Sequence, residues 1–383
     1  MSVSISGDGS VTGIDQGFNV VGVLTASGGF SGNLTGNINA TGVSTIATLN
    51  VTQSNPTNLN VSGVTTTATL RATSIVGVTT AGITTAYIGA VNDGPLAGFR
   101  NFIINGDMAI SQRGTSFTDI NTYTVDRWRT FGGPITFTVT QQDSIATYSP
   151  SRYAIRFARN SGQTQTNDSG IAQGIETRNS YALRGKKVTI SFRARCGANY
   201  SASSSNLLVR VFTGTGTDDN PVGMTGQTQE IGTNVTLTTS LQSFSVTGTL
   251  SSSFTQATLT FSYTPTGTAG ANDWFEVTDV QLEIGDRATP FERRSYGQEL
   301  ALCQRYFQKS VPTWGTPRSG DNYIHSMGFF KVTMRATPSL TQAYNTYGQT
   351  ISIQTSNADY YVTGASSSSG TSLNAGYDAS IEL

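Results

Sequence analysis

The sequence runs to 383 residues, room for two or three domains, with only 12% charged side chains, about half the usual share. Lys+Arg and Asp+Glu both number 23, so zero net charge gives no long-range pull toward nucleic acid or an anionic membrane. Two cysteines (Cys196 and Cys303) and one histidine (His325) argue against a disulfide framework and a clustered zinc site, and leave two buried free thiols as the expectation. The first ten residues lack the basic and apolar regions of a signal peptide, and no run approaches the ~18 apolar residues of a membrane helix. A soluble cytoplasmic product with no membrane insertion is expected.

Residues 1–97 stand apart in composition. Before Leu96 the charged residues are Asp8, Asp15, Arg71 and Asp93, and the aromatics are Phe18, Phe30 and Tyr87. An imperfect repeat runs through the segment. Gly42-Val-Ser-Thr-Ile-Ala-Thr-Leu-Asn50 returns as Gly63-Val-Thr-Thr-Thr-Ala-Thr-Leu-Arg71, then shortens to Gly77-Val-Thr-Thr and Gly82-Ile-Thr-Thr. One copy has too little large apolar surface to offset a chain entropy of about 1–2 kcal/mol per ordered residue. The segment is therefore either a disordered linker or several chains wound together, with Val43, Ile46, Leu49, Val64 and Leu70 meeting on a common axis. The regular spacing of the aliphatics favours an intertwined β-rich shaft.

Residues 98–294 alternate as half-buried strands do: Ile135-Phe137-Val139, Tyr153-Ile155-Phe157, Val188-Ile190-Phe192-Ala194 and Ala257-Leu259-Phe261-Tyr263. Some eight such strands with no helical spacer predict an antiparallel β-sandwich of jelly-roll kind. The last strand breaks parity. Phe275 and Val277 point one way, while Val280, Leu282 and Ile284 point the other, which a bulge at Thr278-Asp279 would repair. A helix is expected over 295–310, capped by Ser295, with Leu300, Cys303 and Phe307 on one face and Leu302 and Tyr306 on a second. Residues 311–383 then read as a small C-terminal β domain, with short strands at Phe330-Val332-Met334, Ile351-Ile353 and Tyr361-Val362. The predicted class is all-β.

No nucleotide, zinc-protease or EF-hand motif appears, and a single histidine removes most routes to an activated nucleophile. Carboxylate pairs of the glycosidase kind have to be weighed on Asp107, Asp126, Asp143, Glu176, Glu230, Glu276, Asp279 and Glu283, none of which forms a local motif. No enzyme activity is expected, and a polysaccharide depolymerase ranks below binding and structural roles. The basic pairs Lys186-Lys187 and Arg293-Arg294 lack flanking aromatics, so nucleic acid is not an expected partner. Asp107 and Asp279 would approach each other if the first and last sandwich strands pair, a candidate structural Ca²⁺ site. For a ligand, Trp314, Tyr323, Tyr344, Tyr347, Tyr360, Tyr361 and Tyr377 gather in the last 70 residues, where rings with polar tips suit sugar faces and protein interfaces alike.

The stretch Asn101-Phe-Ile-Ile-Asn-Gly-Asp-Met-Ala-Ile-Ser-Gln-Arg-Gly114 resembles the opening of a recurrent module in bacteriophage tail-fibre proteins. So do Tyr123-Thr-Val-Asp-Arg-Trp128, Val280-Gln-Leu-Glu-Ile-Gly285 with Ala288-Thr-Pro-Phe-Glu292, and the helix sequence Glu299-Leu-Ala-Leu-Cys-Gln-Arg-Tyr-Phe307. The repeat-bearing N-terminus is similar to segments of structural proteins from phages of cyanobacteria. The resemblance implies a homotrimeric virion fibre, synthesised in the host cytoplasm, with a carbohydrate-binding-like jelly roll. Its N-terminus would join other tail or baseplate proteins, and its distal end would meet a host surface polysaccharide. A neck, head or baseplate fibre is the structural alternative. The resemblance also makes Asp279 comparable to a structural-ion position in some carbohydrate-binding jelly rolls.

Overall fold

The computed structural model describes residues 100–316, 323–347, 350–366 and 372–383. The expected shaft and its repeats lie outside these residues, as does most of the Ser/Gly turn at 365–370.

Among the described residues eleven strands precede the long helix: β1 (Ser116–Phe117), β2 (Arg129–Gly132), β3 (Phe137–Asp143), β4 (Tyr153–Arg159), β5 (Ser169–Ile175), β6 (Lys187–Cys196), β7 (Asn206–Gly214), β8 (Thr228–Thr236), β9 (Gln242–Thr249), β10 (Gln256–Tyr263) and β11 (Trp274–Ile284). Two four-residue helices, α1 (Ile145–Tyr148) and α2 (Thr177–Ser180), cover turns. The strands form a six-stranded sheet, β1-β3-β4-β11-β6-β9, and a five-stranded sheet, β2-β5-β10-β7-β8, every pairing antiparallel. The alternating residues read from the sequence are the ones that meet between the sheets: Phe137, Ile155, Phe157, Ile190, Phe192, Leu259 and Phe261 are all at most 2% exposed. This is the all-β sandwich that the periodicity predicts.

β11 contains the expected bulge. Val277 faces Ala194 and Leu282 faces Ile190, with the register shifting between Thr278 and Gln281. Asp279 takes φ +51°, the left-handed backbone that lets one extra residue bend a strand. The bend frees the amide of Val280 to donate to Gly106 O (2.9 Å) rather than to β6. The segment after Arg100 is thereby stitched along β11.

The next helix is shorter than expected. α3 spans Tyr296–Gln304 with a complete capping box, Ser295 accepting from the Gln298 amide and Gln298 returning the bond. Phe307 opens strand β12 (Phe307–Gly315) instead of lying on the helix, so the boundary drawn at 310/311 falls inside a strand. Tertiary contacts end the helix: the Arg113 guanidinium sits 3.6 Å above the Phe307 ring, Gln112 donates to the Phe307 carbonyl, and Phe307 pairs with Ser380.

The last sheet adds β13 (Tyr323–Phe329), β14 (Ser339–Asn345), β15 (Ile351–Ser356), β16 (Tyr360–Ser366) and β17 (Leu373–Ser380), in the order β14-β17-β12-β13-β16-β15. Phe330-Val332-Met334, expected as a strand, is a loop. Gln308 holds it crosswise, accepting from Lys331 N and donating to Val332 O, so that Phe330 and Met334 plug one face of the sheet.

The C-terminal residues return to the sandwich. Glu382, its side chain 6% exposed, pairs with Arg127 and with Arg113. Arg127 is itself stacked 3.6 Å from the Tyr306 ring. Arg335 donates to the carbonyls of Ile381 and Glu382 and pairs with Asp218, and the Tyr123 hydroxyl donates to Leu383 O. Cys196 and Cys303 are free, buried thiols, as expected.

Candidate functional site

The structure sorts the expected aromatic residues by sheet face. Tyr361 and Tyr377 are 0% and 3% exposed and belong to the core, so neither is available to a ligand. Tyr361 lies over Gly328, where any Cβ would sit 2.4 Å from its ring, and its hydroxyl donates to Val311 O. The side chain of Tyr323 is outside the described residues. Tyr360 is half-buried, while Trp314, Tyr344 and Tyr347 are exposed.

Trp314 and Tyr344 belong to one outward surface. Trp314 stands opposite Met327 in the β12–β13 ladder, Met327 opposite Val362, and Phe329 opposite Tyr360. The Phe329 and Tyr360 rings are 6.3 Å apart. Tyr344 lies flat over Gly376, whose missing Cβ would be 2.1 Å from its ring. Trp314 is 62% and Phe329 66% exposed. Met327 and Phe329 were missed in the sequence; their alternation with Ile324 and Ser326 was the available signal. The result is a strip of aromatic and apolar side chains on the sheet face opposite the core.

Asp107 and Asp279 are near enough to repel: burial raises the Asp107 pKa, and the Asp279 carboxylate adds to the rise. Asp279 accepts from Arg193 Nε (2.6 Å) and Ser151, with Arg293 at 3.6 Å. Guanidinium groups therefore already occupy the place of a cation, and among the described residues no three His, Cys, Asp or Glu form a metal cluster. This donor set does not fit a hard ion that wants six to eight oxygens. Because the Asp107 pKa is raised in the folded state, its ionised form opposes folding at neutral pH, and that penalty fades as pH falls through the carboxylate range. Asp107→Asn is expected to raise the melting temperature at about pH 7 and to lose the advantage near pH 4, measured by calorimetry at both values.

The remaining candidate acids are held by neighbours. Glu276 is fully buried and accepts from Arg156, Arg195 and Tyr148. Glu176 is met by Arg305 and Tyr306, Glu230 by Thr213 and Ser251, Glu283 by Thr289, Asp126 by Gln112, and Asp143 by Arg152. A cleft of about 610 Å³ opens beside Asp279, between Phe244, Phe291, Pro290, Arg193 and Arg293. Its Arg193 is already committed to Asp279 and to the carbonyls of Tyr148 and Ser149.

Four polar residues of the stretches that carry the tail-fibre resemblance, Asn101, Asn105, Glu292 and Glu299, are buried. Asn101 bonds Val280 and Leu282, Asn105 bonds Ile110 and Asp126, Glu292 accepts from the amides of Arg100 and Asn101, and Glu299 accepts from the Asn105 amide at 2.5 Å. They join the opening segment to β11 and α3 and contribute nothing to the exposed strip.

No protein-family model matches the chain, and no curated protein matches it. Among solved structures, it is similar to the enzymatically active domain of tailspike protein 4 of bacteriophage CBA120, at 10% identity and a TM-score of 0.32, over 50% of this chain and 22% of that one. The chain thus spans about a fifth of that tailspike domain. It is also similar to the module TmCBM61 solved with β-1,4-galactotriose (12% identity, TM-score 0.29, 49% of this chain and 100% of that one). The C-terminal family 22 carbohydrate-binding module of Clostridium thermocellum Xyn10B is similar at 14% identity and a TM-score of 0.29, over 47% and 99%. With TM-scores this low, the sandwich assignment rests on the strand pairing itself.

Proposed function

We propose that this chain is a virion tail-fibre protein that attaches to a host surface glycan, by binding and not by catalysis. The observation that carries the proposal is the strip of Trp314, Met327, Phe329, Tyr344 and Tyr360 on an open sheet face. Broad rings suit the C–H faces of sugars, and a Tyr hydroxyl at the rim can bond sugar hydroxyls. The resemblance from Asn101 to Phe307 supports a virion fibre. The proposal includes a homotrimer whose N-terminal segment engages other tail or baseplate proteins, since three weak sites on one fibre gain avidity.

The same apolar strip also favours a second reading, a purely structural fibre of the neck, head or baseplate in which another virion protein covers it. Adsorption separates the two. Fluorescently labelled chain is expected to coat host cells, and Trp314→Ala to reduce adsorption about tenfold through loss of stacking multiplied by avidity. Its melting temperature should stay near that of the parent, because Trp314 is 62% exposed. Absence of adsorption by the parent would leave the structural reading. A clear halo on a host lawn would instead mark a depolymerase, and a monomer by light scattering would remove the trimer.

A further inference from the structure

The outward face of the five-stranded sheet holds a pocket of about 170 Å³, lined by none of the residues singled out in the sequence. That is the share of liquid volume of about five or six waters, the size class of one sugar ring. Phe131 of β2 and Phe212 of β7 supply aromatic walls, and Asp168, Arg210, Gln227 and Thr260 supply polar groups. Thr260 lies directly opposite Arg210 in one ladder and Ala172 in the other, so small side chains leave the space open.

Three atoms of this lining are buried without a hydrogen-bond partner in the protein: Asp168 Oδ1, Arg210 Nε and Thr260 Oγ1. Thr260 is only 2% exposed. The side chains around it are fixed, since Arg210 Nη2 donates to Asp168 Oδ2 at 2.6 Å and to Ser262 Oγ at 2.7 Å. Buried polar atoms are nearly always paired, so three orphans around one pocket point to an occupant that pairs them. The chemistry of that occupant follows from the inventory. Asp168 only accepts, Arg210 only donates, and Thr260 does either. Asp168 and Arg210 cancel in charge, which leaves an ionic ligand little to gain.

We propose that this pocket binds one neutral pyranose unit, its adjacent hydroxyls bonded to Asp168, Arg210 and Thr260 and its ring against the phenylalanine walls. It is a second site, separate from the strip on the C-terminal sheet, and it does not depend on the attachment role. The test is a saturation-transfer NMR titration of the full chain with D-glucose, D-galactose, D-mannose, L-fucose and D-glucuronate. At least one neutral sugar is expected to bind, Thr260→Val to weaken it about tenfold, and Thr260→Ser to retain it. Trp314→Ala, which disables the other surface, should leave this binding unchanged. Thr260→Val should melt no lower than the parent, because its hydroxyl has no internal bond to lose. The proposal is overturned if no neutral sugar binds, if only glucuronate binds, if binding survives Thr260→Val, or if that variant melts well below the parent.

Discussion

Glu382→Gln is expected to destabilise the folded body by about 3–5 kcal/mol, the cost of leaving a buried guanidinium without its counter-charge. Arg127 is 1% exposed at its side chain, is fixed by a bond to Gly174 O and is stacked on Tyr306, so it has no route to water. Arg113, 15% exposed, loses the same partner. The melting temperature should fall by about 6–15 °C. The comparison variant is Asp143→Asn, which breaks the open Arg152 pair (58% and 48% exposed) and is expected to change nothing measurable. Equal melting of the two variants would mean that the tail of the chain does not clasp the sandwich in solution.

Asn105→Ala should cost a comparable amount, about 3–5 kcal/mol, for a different reason. The Asn105 side chain donates to Ile110 O and Asp126 O and accepts from Ile110 N, all between 2.8 and 2.9 Å, in a site with no solvent access. Alanine leaves the Asp126 carbonyl and the Ile110 amide buried without partners, while the Ile110 carbonyl keeps only the Asp126 amide at 3.1 Å. Each orphan is worth about 1–3 kcal/mol, not fully additive. Asn105 also sits at φ +58°, which an alanine adopts at a cost of about 1–2 kcal/mol. Asn105→Gly removes the same bonds but not the backbone preference. It should therefore unfold at a higher urea concentration than Asn105→Ala, by a margin worth about 1 kcal/mol. If the glycine variant were the weaker of the two, the left-handed turn would not be the origin of the asparagine.

The sandwich was legible where apolar and polar residues alternate along a strand, whether the polar side is partly exposed, as in β6, or buried, as in β10. β3, β4, β6 and β10 were read residue by residue, and the parity break in β11 located its bulge. β5 was missed because Ser-Gly-Ile-Ala-Gln-Gly-Ile shows no such alternation. It is buried along its whole length, its outward side lying under Pro221 and Leu383 at Gly174. The end of α3 was misread because the pattern Leu300, Cys303, Phe307 is compatible with a helix, and what unwinds it comes from Gln112, Arg113 and Ser380, distant in sequence. The C-terminal aromatics illustrate a finer limit. Composition identified the cluster, yet Tyr360 and Tyr361 are neighbours on opposite faces of one strand, and only the pairing with β13 decides which is dry. The sandwich pocket was invisible for a related reason: Asp168, Arg210 and Thr260 stem from segments some 40 to 90 residues apart and join only through strand pairing.

The inward orientation of the Asn101, Asn105, Glu292 and Glu299 network has a consequence for how the open face can diversify. The side chains that hold the scaffold together and those on the open strip of β12 and β13 form disjoint sets. Trp314, Met327 and Phe329 can therefore be exchanged for other residues at little expense in folding free energy, since exposed positions seldom move stability by more than about 0.5 kcal/mol. The chemistry of this face can change while the frame beneath it stays fixed.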